Sequence, residues 1–175
     1  MFPFLRLAWN VVRAKRKPPL KVTDTCVTPM RVSLLDIDIF AEMNNGRFLT
    51  LMDIGRFEFS VRTGLWAHVR ENNWGFVVAG SSVRYRKRLH AFQRFEMHSR
   101  VVGFDERWFY FQQNMQRGDT WHCSALLRTA VVEQGKLVPT ARVLEAMGQA
   151  DADGTIPPWV QAWVDAEAQR EWPEQ

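Results

Sequence analysis

The sequence of 175 residues predicts a single α+β domain in which an antiparallel sheet of about five to six strands curls around one buried helix. Three observations predict this fold class. A segment between residues 45 and 62 is apolar on nearly every side of a helix, so other structure must surround it. From Gly75 to Val132 the apolar period becomes two, which is typical of strands. The chain length suits one domain with a full core.

Composition and charge exclude several classes of protein. Hydrophobic residues make up 46% of the chain and charged residues 24%, which is typical of a globular rather than a disordered protein. The net charge of +4 suits a polyanionic ligand or anionic lipid. The basic residues are mostly mixed with acidic ones and form no nucleic-acid-binding motif, so we expect no nucleic-acid partner. Cys26 and Cys123 accompany no secretory signal, which predicts reduced, buried thiols in a cytoplasmic protein.

Residues 1–19 form an N-terminal amphipathic, basic segment. Its apolar part, which contains Trp9, precedes a basic cluster from Arg13 to Lys17; this order is opposite to that of a signal peptide. The apolar part is also too short to span a bilayer. Two interpretations remain open. The segment is a helix that packs on its own domain or on a second subunit, or residues 1–17 lie in a membrane interface with their aromatic rings inserted.

The main domain is predicted over residues 20–150. Residues 21–35 predict the first strand, in which Pro29 marks an edge or a bulge. The later strands are predicted at residues 77–85, 95–101, 108–115 and 123–132. Gly118 and Asp119 between two of them are a tight hairpin signal. Strands that follow one another at short spacing predict an antiparallel meander.

The central helix has recognisable start and end signals. Asn44 or Asn45 predicts its N-cap, because an Asn side chain accepts a hydrogen bond from a free amide of the first turn. Thr63 and Gly64 predict its end, since glycine adopts the left-handed conformation readily. Residues 65–71 predict a further short helix.

Residues 151–175 predict a C-terminal loop and helix. A short helix over residues 141–147 precedes this segment, and Pro158 suits the first turn of the last helix. Three residues of that last helix share one face and are expected to dock it: Trp159, Trp163 and Ala166.

A motif of carboxylates and asparagines leads into the central helix. It resembles the motif Asp-x-Asp-x-x-Gly-His-Val-Asn-Asn of the 4-hydroxybenzoyl-CoA thioesterase-like family of hotdog proteins. The matching positions are Asp36, Asp38, Asn44, Asn45, Phe48 and Arg56. The sequence departs from the family in one respect, because Ala41 and Glu42 replace the Gly-His pair. The resemblance covers residues 21–147 and implies the hotdog fold, in which a sheet wraps a central helix.

The resemblance implies an acyl-CoA thioesterase that hydrolyses a fatty or aromatic acyl-CoA to free acid and CoA. Asp38 is then the nucleophile or the general base. The helix start at Asn44, Asn45 and Gly46 would stabilise the oxyanion, because free amides and the helix dipole converge there. The resemblance implies no metal and no cofactor beyond the CoA of the substrate. It also implies a homodimer or tetramer.

The residues alone leave alternatives open for this motif. Asp38 is otherwise an exposed loop carboxylate or a helix-entry cap. Glu42 is a second acid or base, or a surface residue. Asp36 is expected to be structural, and Asp53 with Arg56 predicts an ion pair one helical turn apart.

The substrate-binding residues are predicted from charge and aromatic character. Phe48, the aromatic residue of the motif, is expected to bind the substrate. Arg84, Arg86 and Arg88 are expected to bind CoA phosphates through their forked donors, and a solvated strand end is the alternative. The four histidines lack the spacing of metal ligands, so no metal site is expected. A rival function is a catalytically weak acyl-binding or membrane-surface protein, which the N-terminal segment and the missing Gly-His pair favour.

Overall fold

A computed structural model describes residues 2–171 and Pro173. Met1 of the predicted N-terminal segment and three residues of the predicted C-terminal one lie outside the described residues. The helices are α1 (Phe4–Ala14), α2 (Asn45–Arg62), α3 (Leu65–Glu71), α4 (Thr140–Ala146) and α5 (Pro158–Ala168), with a 3-10 turn at Leu34–Asp36. The strands are β1 (Cys26–Arg31), β2 (Trp74–Tyr85), β3 (Arg94–Phe104), β4 (Phe109–Arg117), β5 (Thr120–Glu133) and β6 (Lys136–Leu137).

The strands form one six-stranded antiparallel sheet in the order β1-β3-β4-β5-β2, with β6 paired to the end of β5. The predicted meander holds for β3, β4 and β5 but is wrong for β2, which pairs with β5 at the far edge. The reason is the long connection from β2 to β3. It crosses the end of the sheet, with Leu89 fully buried, and the amide of Arg86 donates to the His122 carbonyl oxygen at 2.9 Å.

The central helix α2 is wrapped by the sheet, which confirms the predicted hotdog architecture. Its apolar side chains form one cluster with β1 and β3–β5: Phe48, Leu51, Met52 and Ile54 pack with Met97, Met115 and Leu127 among others. Gly55 permits the close approach, because a Cβ atom there would lie 2.8 Å from Met97 Cγ and 2.9 Å from Ser99 Oγ. Cys26 and Cys123 are buried and free in this interior, as predicted.

The predicted ends of α2 are confirmed. Asn44 is the N-cap, and its side-chain oxygen accepts the Gly46 amide at 2.9 Å. Thr63 is the C-cap, and Gly64 follows in the left-handed region with φ of 83°. The chain then turns at once into α3, whose bounds are those predicted.

The N-terminal helix α1 packs on its own domain, along α2. Its inward side is mixed: Arg6 contacts Asp36 and Asn10 contacts Glu58, while Leu7 packs on the core and Ala14 is buried. Lys17, just after the helix, also contacts Glu58. The outward side is largely apolar. None of the described helices is both long enough and apolar enough to cross a bilayer.

The docking face predicted for α5 is wrong in part. Trp159 is 49% exposed and Ala166 is also exposed. The helix instead docks through the fully buried Val160, with Trp163 and Val164 half-buried beside it. The difference arises because α5 begins at Pro158, and only Val160 of its first turn reaches the partners Tyr110 and Leu126 on the sheet.

Candidate active site

The motif loop is a tight hairpin that leads directly into α2. Ile37 pairs with Met43, and the Asp38 amide donates to the Glu42 carbonyl oxygen at 2.9 Å. The Asn44 amide donates to the Asp36 carbonyl oxygen at 2.9 Å, which closes the base of the hairpin. The hairpin therefore brings the predicted catalytic residues Asp38 and Glu42 opposite each other, just before the helix start.

The Asp38 carboxylate is half-buried and held by its own turn. Its Oδ1 accepts the amide of Phe40 at 2.8 Å. Ile39 and Phe40 at the hairpin tip are 92% and 74% exposed, so the carboxylate sits beside an uncovered apolar surface. Asn44, and not Asp38, caps the helix, which excludes the interpretation of Asp38 as a helix-entry cap.

The helix start offers fewer free amides than a bare N-terminus would. The Gly46 amide donates to Asn44 Oδ1, and the Arg47 amide donates to the Asn44 carbonyl oxygen at 2.8 Å. The amide of Asn45 has no acceptor among the described residues, so it is a donor that an incoming oxyanion can reach. All three predicted oxyanion residues are exposed and thus reachable by a substrate.

Asp36 is structural, as expected, and lies at the base of the hairpin with 1% of its surface exposed. Its Oδ2 lies 3.0 Å from Arg6 Nη1 and accepts the Ser33 amide at 2.9 Å, while Oδ1 accepts Arg47 Nε at 3.0 Å. Burial alone would raise its pKa, but the Ser33 amide and the two guanidinium groups outweigh this effect and hold the pKa below its ordinary value.

Glu42 and the basic connection after β2 meet at the hairpin. Glu42 Oε2 lies 2.7 Å from Arg88 Nε, so this arginine forms an ion pair within the protein. Arg84 and Arg86 are exposed and have no ion pair with any described residue. Among the predicted phosphate-binding arginines, these two are therefore available to a ligand.

The start of α2 lies against the end of the edge strand β2. Tyr85 Oη donates to the Asn45 carbonyl oxygen at 3.2 Å, and the rings of Tyr85 and Phe48 meet edge to face with centroids 5.1 Å apart. Phe48 itself is 3% exposed and belongs to the core. The contact places the helix start, Arg84 and Arg86 at the same corner of the molecule.

A cavity of about 670 Å³ lies beside the second half of α2, between α2, α3 and strands β2, β4 and β5. Its lining is mostly apolar and includes seven aromatic side chains: Phe57, Phe59, Trp66, Trp74, Phe76, Phe109 and Phe111. Phe57, Trp66 and Phe76 form a connected group, with centroids 5.5 to 6.3 Å apart. Such a volume and lining suit an apolar ligand of small-molecule size.

A polar network forms one end of this cavity. The Arg56 guanidinium binds Asp53 and donates to Gln113 Oε1 at 2.5 Å. Gln113 Nε2 in turn donates to Ser99 Oγ at 2.8 Å and to the Met52 carbonyl oxygen at 3.0 Å. Burial raises the pKa of Asp53, and the nearby Arg56 opposes this shift only in part.

The predicted ion pair of Asp53 and Arg56 is present, but the sequence interpretation missed Gln113 and Ser99. A signal existed in β4, where Gln113 shares the inward face with Met115 in the alternating pattern. A polar residue on a core-facing position of a strand needs a partner, and Arg56 of α2 supplies it.

Sequence comparison agrees with this architecture. Residues 32–164 match the family model of the thioesterase-like superfamily. Protein THEM6 of Danio rerio is 34% identical over 125 residues, which are 71% of this chain and 62% of that protein. Protein THEM6 of Drosophila melanogaster is 36% identical over 111 residues, which are 63% of this chain and 55% of that protein. The chain thus spans less than two thirds of the length of these relatives.

Solved structures show the same fold. A probable thioesterase from Bartonella henselae superposes with a TM-score of 0.62 at 20% identity, over 66% of this chain and 98% of that one. A Staphylococcus aureus protein determined in complex with CoA gives a TM-score of 0.63 at 11% identity, over 89% and 99% of the two chains. With the fold and the match over residues 32–164 in agreement, the chain belongs to the thioesterase-like superfamily of hotdog proteins.

Proposed function

We propose that the protein is an acyl-CoA thioesterase that hydrolyses a fatty or aromatic acyl-CoA to the free acid and CoA. The observation that carries this proposal is the apolar, ring-rich cavity beside α2, whose lining also contains the ion pair of Asp53 and Arg56. An apolar acyl group matches the rings of the cavity. Membership of the thioesterase-like superfamily supports the class of reaction. The solved relative bound to CoA supports the class of substrate.

The proposed chemistry uses Asp38 on the thioester carbonyl. As general base, the carboxylate takes a proton from water, hydroxide adds to the carbonyl carbon, and the CoA thiolate leaves and is protonated. As nucleophile, the carboxylate displaces the thiolate and forms an acyl anhydride that water then hydrolyses. In both cases the negative oxygen of the intermediate is stabilised by the Asn45 amide at the positive end of α2.

Hydrolysis is tested by the release of free CoA thiol from short, long and aromatic acyl-CoAs. We expect turnover with a long or aromatic acyl group, because the cavity is ring-lined.

A second candidate, a catalytically weak acyl-binding protein, is favoured by the occupied Gly46 amide. Saturable quenching of the cavity residues Trp66 and Trp74 by acyl-CoA, with no thiol released from any substrate, would establish that alternative.

We expect Arg84→Glu with Arg86→Glu to raise the KM for acyl-CoA about tenfold, since one charge-assisted hydrogen bond contributes ~1.5 kcal/mol. Both side chains are exposed at the corner where β2 meets the start of α2. Steady-state thiol release measures KM. The control is Arg107→Glu with Lys136→Glu, which changes the net charge equally at exposed positions in the β3–β4 turn and in β6, at the opposite end of the sheet. If the KM of the Arg84→Glu, Arg86→Glu variant is unchanged, the proposed contact with CoA is contradicted.

We also propose a homodimer formed through β2, and the tetramer remains a second assembly to test. No strand of the described part of the chain pairs with the outer side of this twelve-residue edge strand, and its residues Phe76 and Val78 are 40% and 50% exposed. Strand pairing between two copies would cover this edge. Because Tyr85 of β2 contacts Asn45, a second copy would lie next to the helix start.

The expected result is a dimer or tetramer by light scattering after size exclusion. Val78→Lys is expected to shift the protein towards monomer, because a charge on an edge strand opposes pairing. Leu137→Lys, on the half-buried strand β6, serves as the matched control. A monomeric wild-type protein contradicts the proposal.

A further inference from the structure

The helix α1 displays its apolar side to solvent. Phe4, Leu5 and Trp9 are 70%, 90% and 65% exposed, and Val12 is 47% exposed. A surface helix normally turns its apolar stripe towards the core and its polar side outwards. The helix α1 departs from this arrangement, because its inward side carries Arg6 and Asn10 beside Leu7 and Ala14, while its largest apolar side chains face outwards.

Two buried carboxylates fix this orientation. Asp36 and Glu58 are each 1% exposed. Asp36 binds Arg6 of α1. Glu58 binds Asn10 of α1 and Lys17, which follows the helix. Turning α1 over would leave both carboxylates without these partners, which is unfavourable for buried charges. The outward apolar face is therefore a built feature of the fold.

A basic groove of about 660 Å³ runs beside α1. Five arginines from α1, β1, β3 and β4 line it: Arg6, Arg13, Arg31, Arg94 and Arg117. Glu96 is the single acidic side chain among the described residues of its lining. Trp9 belongs both to this lining and to the exposed apolar face, so the two surfaces are continuous.

Of the five arginines in the groove, Arg6 pairs with Asp36, and the others have no ion-pair partner among the described residues. Arg31 and Arg94 lie directly opposite each other on neighbouring strands, an arrangement that is destabilising for like charges. No described residue forms an ion pair with Arg13, Arg94 or Arg117. Guanidinium groups grouped in this way suit phosphate, which accepts two parallel hydrogen bonds from each fork.

We propose that α1 and this groove together dock the protein on an anionic phospholipid bilayer. The apolar face lies in the interface with Trp9 at the level of the headgroups, and the groove binds headgroup phosphates. Leu34 and Leu35 extend the apolar surface; they belong to the turn that Arg6 ties to α1 through Asp36, and they are 65% and 86% exposed. A second copy of the chain fits less well, because it would bring the same basic groove onto this one.

The test uses the full-length protein and vesicles of phosphatidylcholine, alone or mixed with phosphatidylglycerol. Co-sedimentation is expected with the mixed vesicles only, and it should weaken as ionic strength rises. Leu5→Glu with Trp9→Glu is expected to abolish it. Arg94→Ala with Arg117→Ala should weaken it at least ~10-fold, since each basic residue near the surface contributes about fivefold.

The matched control is Arg107→Ala with Lys136→Ala, which removes the same charge from exposed positions at the opposite end of the sheet and should bind vesicles like the wild type. Thermal melting verifies that each variant folds. The proposal is overturned if the protein binds pure phosphatidylcholine vesicles as well as the mixed vesicles. It is also overturned if all variants bind the mixed vesicles as well as the wild type does. Binding of glycerol 3-phosphate in solution without vesicle binding, or a change in molecular mass on Leu5→Glu with Trp9→Glu, overturns it too.

Discussion

Asp38→Asn is expected to lower kcat/KM for acyl-CoA hydrolysis at least ~100-fold, a loss of ~2.7 kcal/mol of transition-state stabilisation. The amide is nearly the same shape as the carboxylate and still accepts the Phe40 amide through Oδ1, so the hairpin is kept. It cannot take a proton from water or attack a carbonyl as an anion. Thiol release from the best substrate of the acyl-CoA panel measures the effect.

Three variants separate the chemistry from a loss of charge. Asp119→Asn makes the same change in the exposed turn between β4 and β5 and should leave kcat/KM unchanged. Glu42→Gln tests the second carboxylate of the hairpin, and Asp53→Asn tests the carboxylate in the lining of the cavity. If Asp38→Asn retains full activity while Asp53→Asn loses it, the thioester lies at the polar end of the cavity. The two positions are distinguishable, because Asp53 lies eight residues after Asn45 in the helix, a rise of ~12 Å.

The second large effect concerns stability. Asp36→Asn is expected to reduce the free energy of unfolding by about 3 kcal/mol, because it leaves two guanidinium groups facing a buried neutral group. For a chain of this size, the midpoint of thermal unfolding should fall by roughly 6–12 °C. Asp119→Asn is again the control and should shift it little. A melting temperature equal to that of the wild type contradicts the structural role of Asp36.

The contribution of Asp36 should also depend on pH. Its pKa in the folded protein is held below the ordinary value of 3.8, so the folded state favours the carboxylate. This stabilisation is complete above the unfolded pKa and is lost as the pH falls through the folded pKa. The difference in unfolding free energy between wild type and Asp36→Asn should therefore be constant near neutral pH and shrink below about pH 4. Urea unfolding at several pH values measures it, and a difference that does not change in acid contradicts the assignment.

Local signals predicted much of this fold. The Asn44 cap and the Gly64 stop of α2 need no knowledge of the rest of the chain, because both depend on backbone groups within one helical turn. The place of β2 in the sheet was not predictable in this way. Alternation along a strand shows which face is buried but not which strand lies alongside, and Leu89 in the connection gave no separate sign of the crossing.

The site shows the same division. The motif led to the hairpin and the helix start, where the predicted residues do meet. The cavity was foreseen only as a surplus of aromatic residues, since its walls come from segments distant in sequence. Likewise, the amphipathic character of α1 was evident from the sequence. Its orientation was not, because it depends on Asp36 and Glu58, which are distant from α1 in the sequence.

The divided carboxylate of Asp36 has a mechanical consequence. One of its oxygens binds Arg6 of α1 and the other binds Arg47 of α2, while its carbonyl oxygen closes the hairpin that carries Asp38. A force applied to α1 would therefore act on the hairpin through Arg6 and the short side chain of Asp36. Because a large shift of α1 or of the hairpin relative to α2 would break a buried ion pair, we expect the three elements to move together.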